Sequence, residues 1–247
     1  MKRKFYVGTS GWSYKGWKGL FYPENIKVTE YLKFYSSVFK ATEINSSFYH
    51  LPKSQTVINW AKITEPPFIF CPKISRYITH MKKLKEVEEP LQKFFSVFDL
   101  IHERLGPILI QLPPSAGFIK EKTEAFFDIL KNQYSSYEFA LEARNTSWFE
   151  KESLSLLEKN NIALVISQSG KVFPYFEAVT SQNIYLRFHG PKELFSSKYS
   201  KSMLQKYADK CLDWMKQGHN IYAFFNNDNG GYAVEDAAVF NDMLVKA

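Results

Sequence analysis

The feature that most constrains this chain is a sustained alternation of short apolar, β-branched or aromatic runs with longer amphipathic stretches, carried from one end to the other. Period-2 runs predict strands near Phe5–Ser10, Ala41–Ser46, Phe68–Lys73, Ile108–Leu112, Tyr137–Glu142, Ile162–Ser167, Ile184–His189 and Ile221–Asn226. Apolar residues at helical spacing predict helices near Val28–Phe39, Ser54–Ile63, Glu88–Leu105, Ile119–Gln133, Lys151–Lys159, Ser200–Gln217 and Val234–Val245. Gly106-Pro107 and Gly218 supply the stops expected after two of these helices. The stretch from Gly170 to Ser181 contains Pro174 and lacks a 3.6-residue period, so a sixth helix is expected to be short or missing. Eight strands alternating with about seven helices in 247 residues predict a single α/β domain over residues 1–247, a (β/α)₈ TIM-type barrel.

Composition narrows the setting. An apolar share of 45% with 23% charged residues describes a globular chain. Aromatics at 17% exceed what a core requires, so some are expected to line a cleft. The longest apolar runs, such as Ile162 to Ile166, are too short for a bilayer. The basic start Met1-Lys2-Arg3-Lys4 leads straight into Phe5 and Gly8-Thr9-Ser10-Gly11 without a signal-type apolar stretch. Two cysteines, Cys71 and Cys211, build neither a disulfide framework nor a zinc site. A reduced, cytoplasmic protein with no membrane partner is the expectation.

A net charge of +7 favours anionic partners, although a basic surface also serves solubility. The arginines say more. Of 32 basic residues five are arginine (Arg3, Arg76, Arg104, Arg144 and Arg187), and Arg76, Arg144 and Arg187 fall at or just beyond strand ends. The guanidinium fork binds carboxylate or phosphate in a bidentate way that lysine cannot imitate.

Strand parity then sorts the polar residues. In a barrel, alternate residues of each strand face the interior. Ala140 and Glu142 share a face, as do Tyr185, Arg187 and His189; Arg144 lies just beyond on the first of these. Glu43 pairs with Asn45, Cys71 with Lys73, Leu109 with Gln111, and Tyr222 and Phe224 with Asn226 and Asp228. Small or apolar interior residues come first and a polar group closes each strand. Simple clustering of polar residues where water begins predicts mixed lysine, serine and threonine, not this set of charges, because unpaired buried charge is costly. A ligand site at the carboxyl-terminal ends of the strands is expected.

The turns carry a recognisable order of motifs. They run Gly8-Thr9-Ser10-Gly11-Trp12-Ser13-Tyr14 with Trp17, Phe21-Tyr22-Pro23, Glu43-Ile44-Asn45-Ser46-Ser47-Phe48-Tyr49, and Lys73 with Arg76 and Ile78-Thr79-His80. Gln111-Leu112-Pro113-Pro114, Glu142-x-Arg144 with Ser147-Trp148, Arg187-x-His189-Gly190 and Phe225-Asn226-Asn227 follow. Together they resemble the domain-of-unknown-function 72 family, the YecE-like proteins, over residues 5 to 245. The resemblance implies a TIM-type barrel and no established activity. Members often read Ala-Asp-Ser near the end of strand six, where this chain has Ser167-Gln168-Ser169 and so lacks that carboxylate.

Three functions compete. In the first, an enzyme of hydrolase, phosphodiesterase or isomerase type acts on an anionic, phosphate-bearing ligand. Arg144, Arg187 and Lys73 hold the anion, Arg76 and His80 close over it, and Asn45, Gln111, Asn226 and Asn227 supply polar contacts. Glu142 and then Glu43 are the acid–base candidates, with His189 as proton shuttle. Nucleic acid is a partner in the extreme version, with Trp12, Tyr14 and Trp148 as stacking platforms. The cofactor is not legible: a single divalent metal on Glu43, Glu142, His80, His189 and Asp228 is conceivable but not favoured, because no metal-ligand spacing occurs. In the second, two carboxylates and aromatics serve carbohydrate chemistry, against which the arginines argue. In the third, the protein binds an anionic metabolite without chemistry, and the carboxylates only orient the cations. Trp60 and Trp214 read as core, His50, His102 and His219 as solvated or capping, and Cys71 as an inert buried thiol.

Overall fold

The alternation resolves into parallel strands and packed helices in the computed structural model, which describes residues 5–246. The basic start, Arg3 included, lies outside the described residues. Strands are β1 (Phe5–Thr9), β2 (Ala41–Ile44), β3 (Ile69–Pro72), β4 (Ile108–Gln111), β5 (Phe139–Glu142), β6 (Ala163–Leu164), β7 (Ile166–Gln168), β8 (Asn183–Phe188) and β9 (Asn220–Phe225). Helices are α1 (Tyr31–Val38), α2 (Ser46–Tyr49), α3 (Ser54–Ile63), α4 (Glu88–Phe98), α5 (Lys120–Gln133), α6 (Lys151–Lys159), α7 (Lys201–Lys216) and α8 (Tyr232–Val245).

All paired strands are parallel, in sheets ordered β1-β9-β8-β7, β2-β3 and β4-β5-β6. Parallel pairing of sequential strands requires crossovers, and the helices supply most of them. The expected sixth strand is split at Val165: β6 pairs with β5 while β7 pairs with β8, and the Val165 N–H bonds to the Leu141 carbonyl oxygen (2.9 Å). Isolated bridges Phe70–Leu105 and Lys73–Leu109 join the β3 region to β4. Gly8 of β1 is required where β2 passes, since a Cβ there would lie 1.9 Å from the Ala41 carbonyl oxygen. No helix occurs between β7 and β8 among the described residues.

The two faces of the strands bury different things. On the helix side, Ile110, Leu141, Ile184, Leu186 and Ile221 join Leu32, Val57, Phe94, Phe126, Leu157, Leu204 and Phe240 in one apolar cluster. The other face forms a separate cluster from Ala41, Cys71, Leu109, Ala140, Ala163, Val165, Tyr185, Tyr222 and Phe224. Cys71, Leu109, Ala140, Tyr185, Tyr222 and Phe224 are the interior positions that strand parity assigned, joined here by Ala41, Ala163 and Val165, and residues two further along these strands emerge together at the carboxyl-terminal ends. The chain's +102° φ at Gly218, with its N–H on the Met215 carbonyl oxygen (3.1 Å), ends α7 where the sequence placed a stop. Trp214 is buried and Trp60 packs on the core, as expected, and Cys71 is a buried free thiol. No helix of the described residues is long and apolar enough to cross a membrane.

Candidate functional site

At the strand ends, residues from β2, β5 and β8 meet on one guanidinium. Arg187 is 1% exposed and its Nε and Nη2 donate to Glu43 Oε2 (2.9 Å) and Oε1 (2.6 Å). Its Nη1 donates to Glu142 Oε2 (2.5 Å). A fixed fork between two carboxylates is what arginine's planar geometry suits. Glu43 also accepts from Ser10 Oγ (2.9 Å) and the Tyr185 hydroxyl (2.9 Å). Four donors occupy its two oxygens, which is about the capacity of a carboxylate. Glu142 Oε1 accepts from Ser167 Oγ (3.1 Å) and stands 3.2 Å from His189 Nε2.

The charges fix one another. Burial alone would raise the Glu142 carboxyl, but Arg187, His189 and Arg144 hold it well below the usual carboxylate range. Burial would lower Arg187, and the two carboxylates more than reverse that. Burial and Arg187 push His189 down against the pull of Glu142. With Asn226 Nδ2 3.1 Å from His189 Nδ1, the consistent arrangement is a neutral ring that accepts from Asn226 and donates through Nε2 to Glu142.

Above this core lies an open cleft of about 470 Å³. Its wall includes Asn45, Lys73, Gln111, Arg144 and Asn226, all expected from sequence. It also includes Phe48, Tyr49, Phe195, Asp228 and Asn229. Lys73, 8% exposed, donates from Nζ to Gln111 Oε1 (2.8 Å) and lies 4.1 Å from the Phe48 ring centroid. Gln111 is oriented by its Nε2, which donates to the Leu112 carbonyl oxygen (2.7 Å). Burial first, then Arg187, pushes the Lys73 ammonium down to about 7 against Glu142 and Glu43. Arg144 stacks its guanidinium 3.8 Å from the Phe173 ring centroid, with Nη2 3.7 Å from Glu142 Oε1 and a buried Nε that has no hydrogen-bond partner. Asn45 Oδ1 is likewise buried without a partner. Burial raises the Asp228 carboxyl above its ordinary value.

Several expectations are corrected. Arg187 lines the cleft as expected, but its guanidinium is paired with Glu43 and Glu142, so two carboxylates compensate its charge inside the protein. Glu43, Glu142 and His189 are sealed (each 0% exposed) and lie beneath the cleft wall, so none faces a ligand directly. His80 does line the cleft, but burial, then Lys73, holds it down at about 4 and it carries no charge at neutral pH. Arg76 is exposed and outside the lining. Asn227 is buried and ties the Ser197 carbonyl oxygen (2.9 Å) to Asp236 (2.8 Å), a brace between loop and α8. Trp148 is buried with Nε1 on the Ala116 carbonyl oxygen (2.9 Å), Trp12 sets its ring edge-on to Trp60 (5.2 Å), and Tyr14 donates its hydroxyl to the Ser10 carbonyl oxygen (2.6 Å). None of the three lines the cleft. Among the described residues no group of three or more His, Cys, Asp or Glu side chains stands together to hold a metal ion.

Phe173 and Phe195 were not legible, because they come from segments with no regular period. Phe195 holds a φ of +64°, its N–H bonded to the His189 carbonyl oxygen (2.6 Å) and its ring edge-on to His189. A bulky residue in that conformation is costly and persists where surroundings over-determine it. Phe48, Tyr49 and Asp228 did carry a signal: the first two close the motif that runs from Glu43 through Asn45, and Asp228 shares the parity of Asn226.

The comparisons agree with this fold. The DUF72 protein TM1631 of Thermotoga maritima has 32% identity and a TM-score of 0.87, covering 98% of this chain and 100% of that one. The DUF72 protein EF0366 of Enterococcus faecalis, at 22% identity and a TM-score of 0.84, covers 98% and 95% and is alike in fold. The UPF0759 protein YunF of Bacillus subtilis is 24% identical over 97% of this chain and 94% of its own length. The UPF0759 protein YecE of Escherichia coli K12 is 24% identical over 93% and 89%. The family profile described as "Protein of unknown function DUF72" matches residues 6–247, and the chain belongs to that family.

Proposed function

We propose that the protein is an enzyme whose strands close as a (β/α)₈ barrel and which binds a small anionic ligand at their carboxyl-terminal ends for acid–base chemistry. The carrying observation is Arg144. Its charge faces a cleft, its ring-stacked guanidinium is held in place by Phe173, and its buried Nε lacks a partner. A phosphate or carboxylate bridging the cleft-facing ends of Arg144 and Lys73 adds charge-assisted bonds. Arg187, paired with its two carboxylates at the cleft lining, supports the site, since it fixes Glu142 ionised beside Arg144. Proton transfer then belongs to groups on the wall, Lys73 and Asp228, rather than to Glu43, Glu142 and His189. The bridges between the β3 region and β4, and the apolar cluster drawn from strands of all three sheets, support closure. The absence of Trp12, Tyr14 and Trp148 from the cleft favours a small ligand over a stacked nucleic acid strand.

The test is thermal denaturation with phosphate, sugar phosphates, a short single-stranded oligonucleotide and neutral oligosaccharides, for the protein and an Arg144→Ala variant. A ligand at about 100 times its Kd adds about 2.7 kcal/mol, roughly 5–10 °C at this size. The expected result is such a shift with a phosphorylated small molecule, lost in the variant. Equal shifts in both proteins, or shifts with neutral sugars alone, overturn the reading.

A further inference from the structure

Lys73 is more than a counter-charge. Its amine sits at the end of β3, on the wall of the cleft, with a side chain nearly withdrawn from water. It makes no ion pair within 4 Å among the described residues; its one polar partner is Gln111 Oε1, which accepts a single N–H. The Phe48 ring covers another side. Gln111 is pinned in that orientation by Leu112, so the amine is held in a fixed place by an acceptor that leaves its lone pair unshared. The charged groups that influence it (Arg187, Glu142, Glu43 and Arg144) are locked among themselves in the layer beneath or beside it. Burial leads the influences that push this amine down to about 7, so much of it is the free base at neutral pH.

We infer that Lys73 is a nucleophile that forms an imine with a small anionic aldehyde or ketone, whose anionic group rests on Arg144. This rests on reading the cleft as an anion site. The neutral Lys73 amine attacks the carbonyl carbon, the C–N bond forms, the C=O π pair goes to oxygen and is protonated, and the nitrogen gives up a proton. The carbinolamine then loses its hydroxyl as water after protonation, leaving the iminium on Nζ. Addition of water reverses each step, so no oxidant or reductant is required. Asp228, raised by burial and on the same wall, is a group able to hold the proton that moves between these oxygens.

The full chain is incubated at pH 7 with glyoxylate or with acetaldehyde, each in the presence of cyanoborohydride, which traps the iminium by hydride addition. Peptide mapping reads the occupancy of every lysine with time. Lysines of ordinary pKa are almost wholly protonated at pH 7, so modification of Lys73 is expected to run at least about tenfold ahead of them. Glyoxylate is expected to react faster than acetaldehyde at Lys73, and Arg144→Ala, checked for its melting temperature, to remove that preference while acetaldehyde still labels Lys73. Adducts spread over surface lysines, with Lys73 no more occupied than the rest, overturn the imine whether or not anions raise the melting temperature. Rapid labelling of Lys73 that ignores both the carboxylate and Arg144 upholds the imine and refutes the anion reading.

Discussion

Replacing Arg187 with methionine tests the centre of the structure. The guanidinium makes three hydrogen bonds of 2.5–2.9 Å to two carboxylates that are 0% exposed. Removing one partner of a buried pair leaves the other charged without compensation, at a cost of about 3–5 kcal/mol. At roughly 2–4 °C per kcal/mol for a chain of this size, the melting temperature should fall by about 6–20 °C at pH 7.5. The pH dependence has a definite sign. In the native protein the Glu142 carboxyl is held below its unfolded value, so its contribution is present above about pH 4.3 and is lost as pH falls through the folded value. In Arg187→Met, burial becomes the dominant influence and raises that carboxyl, so the folded variant gains protons on acidification. The gap in melting temperature should therefore narrow between pH 7.5 and pH 5.5. A triple variant, Glu43→Gln with Glu142→Gln and Arg187→Met, removes the charges together and should recover most of the loss. Circular dichroism melts at the two pH values decide it. A drop under about 2 °C, or a gap unchanged by pH, refutes the argument that this guanidinium neutralises buried charge.

Other outcomes follow from the same geometry. Lys73→Met should raise stability at pH 7 by about 0.5–2 kcal/mol while abolishing anion-dependent stabilisation, a trade expected of a strained functional residue; denaturant titration with and without phosphate measures both. Because the Lys73 ammonium is pushed down to about 7 from its ordinary value, the unfolded chain binds the extra proton between there and about 10.4, so this group makes stability rise with pH across that window. The slope should disappear in Lys73→Met. Trp148→Ala should cost about 3–5 kcal/mol through the cavity and the lost bond to Ala116, yet leave ligand affinity of the folded fraction unchanged, separating core from cleft. Gly8→Ala places a Cβ against the Ala41 carbonyl oxygen and should cost at least about 1–3 kcal/mol, visible as a lowered melting temperature.

Much of the molecule was written locally. The helices at Ser54–Ile63 and Lys151–Lys159 fall where apolar spacing put them, and interior positions such as Leu109, Ala140, Tyr185 and Phe224 follow from a period of two. Those signals are intrinsic to the chain, because pleat and helix pitch fix which residues share a face before any long-range contact forms. Parity also brought Glu43, Glu142 and Arg187 to the same end of the strands. Their roles were another matter. Arg187 lies 144 residues from Glu43 and 45 from Glu142 in sequence, and only folding turned a candidate anion binder into the compensating charge of two carboxylates. Trp148 and Phe173 exchanged places in the same way: the tryptophan in a recognised motif is core, and the phenylalanine from the helix-less stretch carries Arg144. Periodicity determined which residues reach the cleft end of the strands. Which of those charges are spent on each other, and which remain for a ligand, was decided by distances between strands far apart in sequence, because the energy of a buried charge depends on its nearest partners.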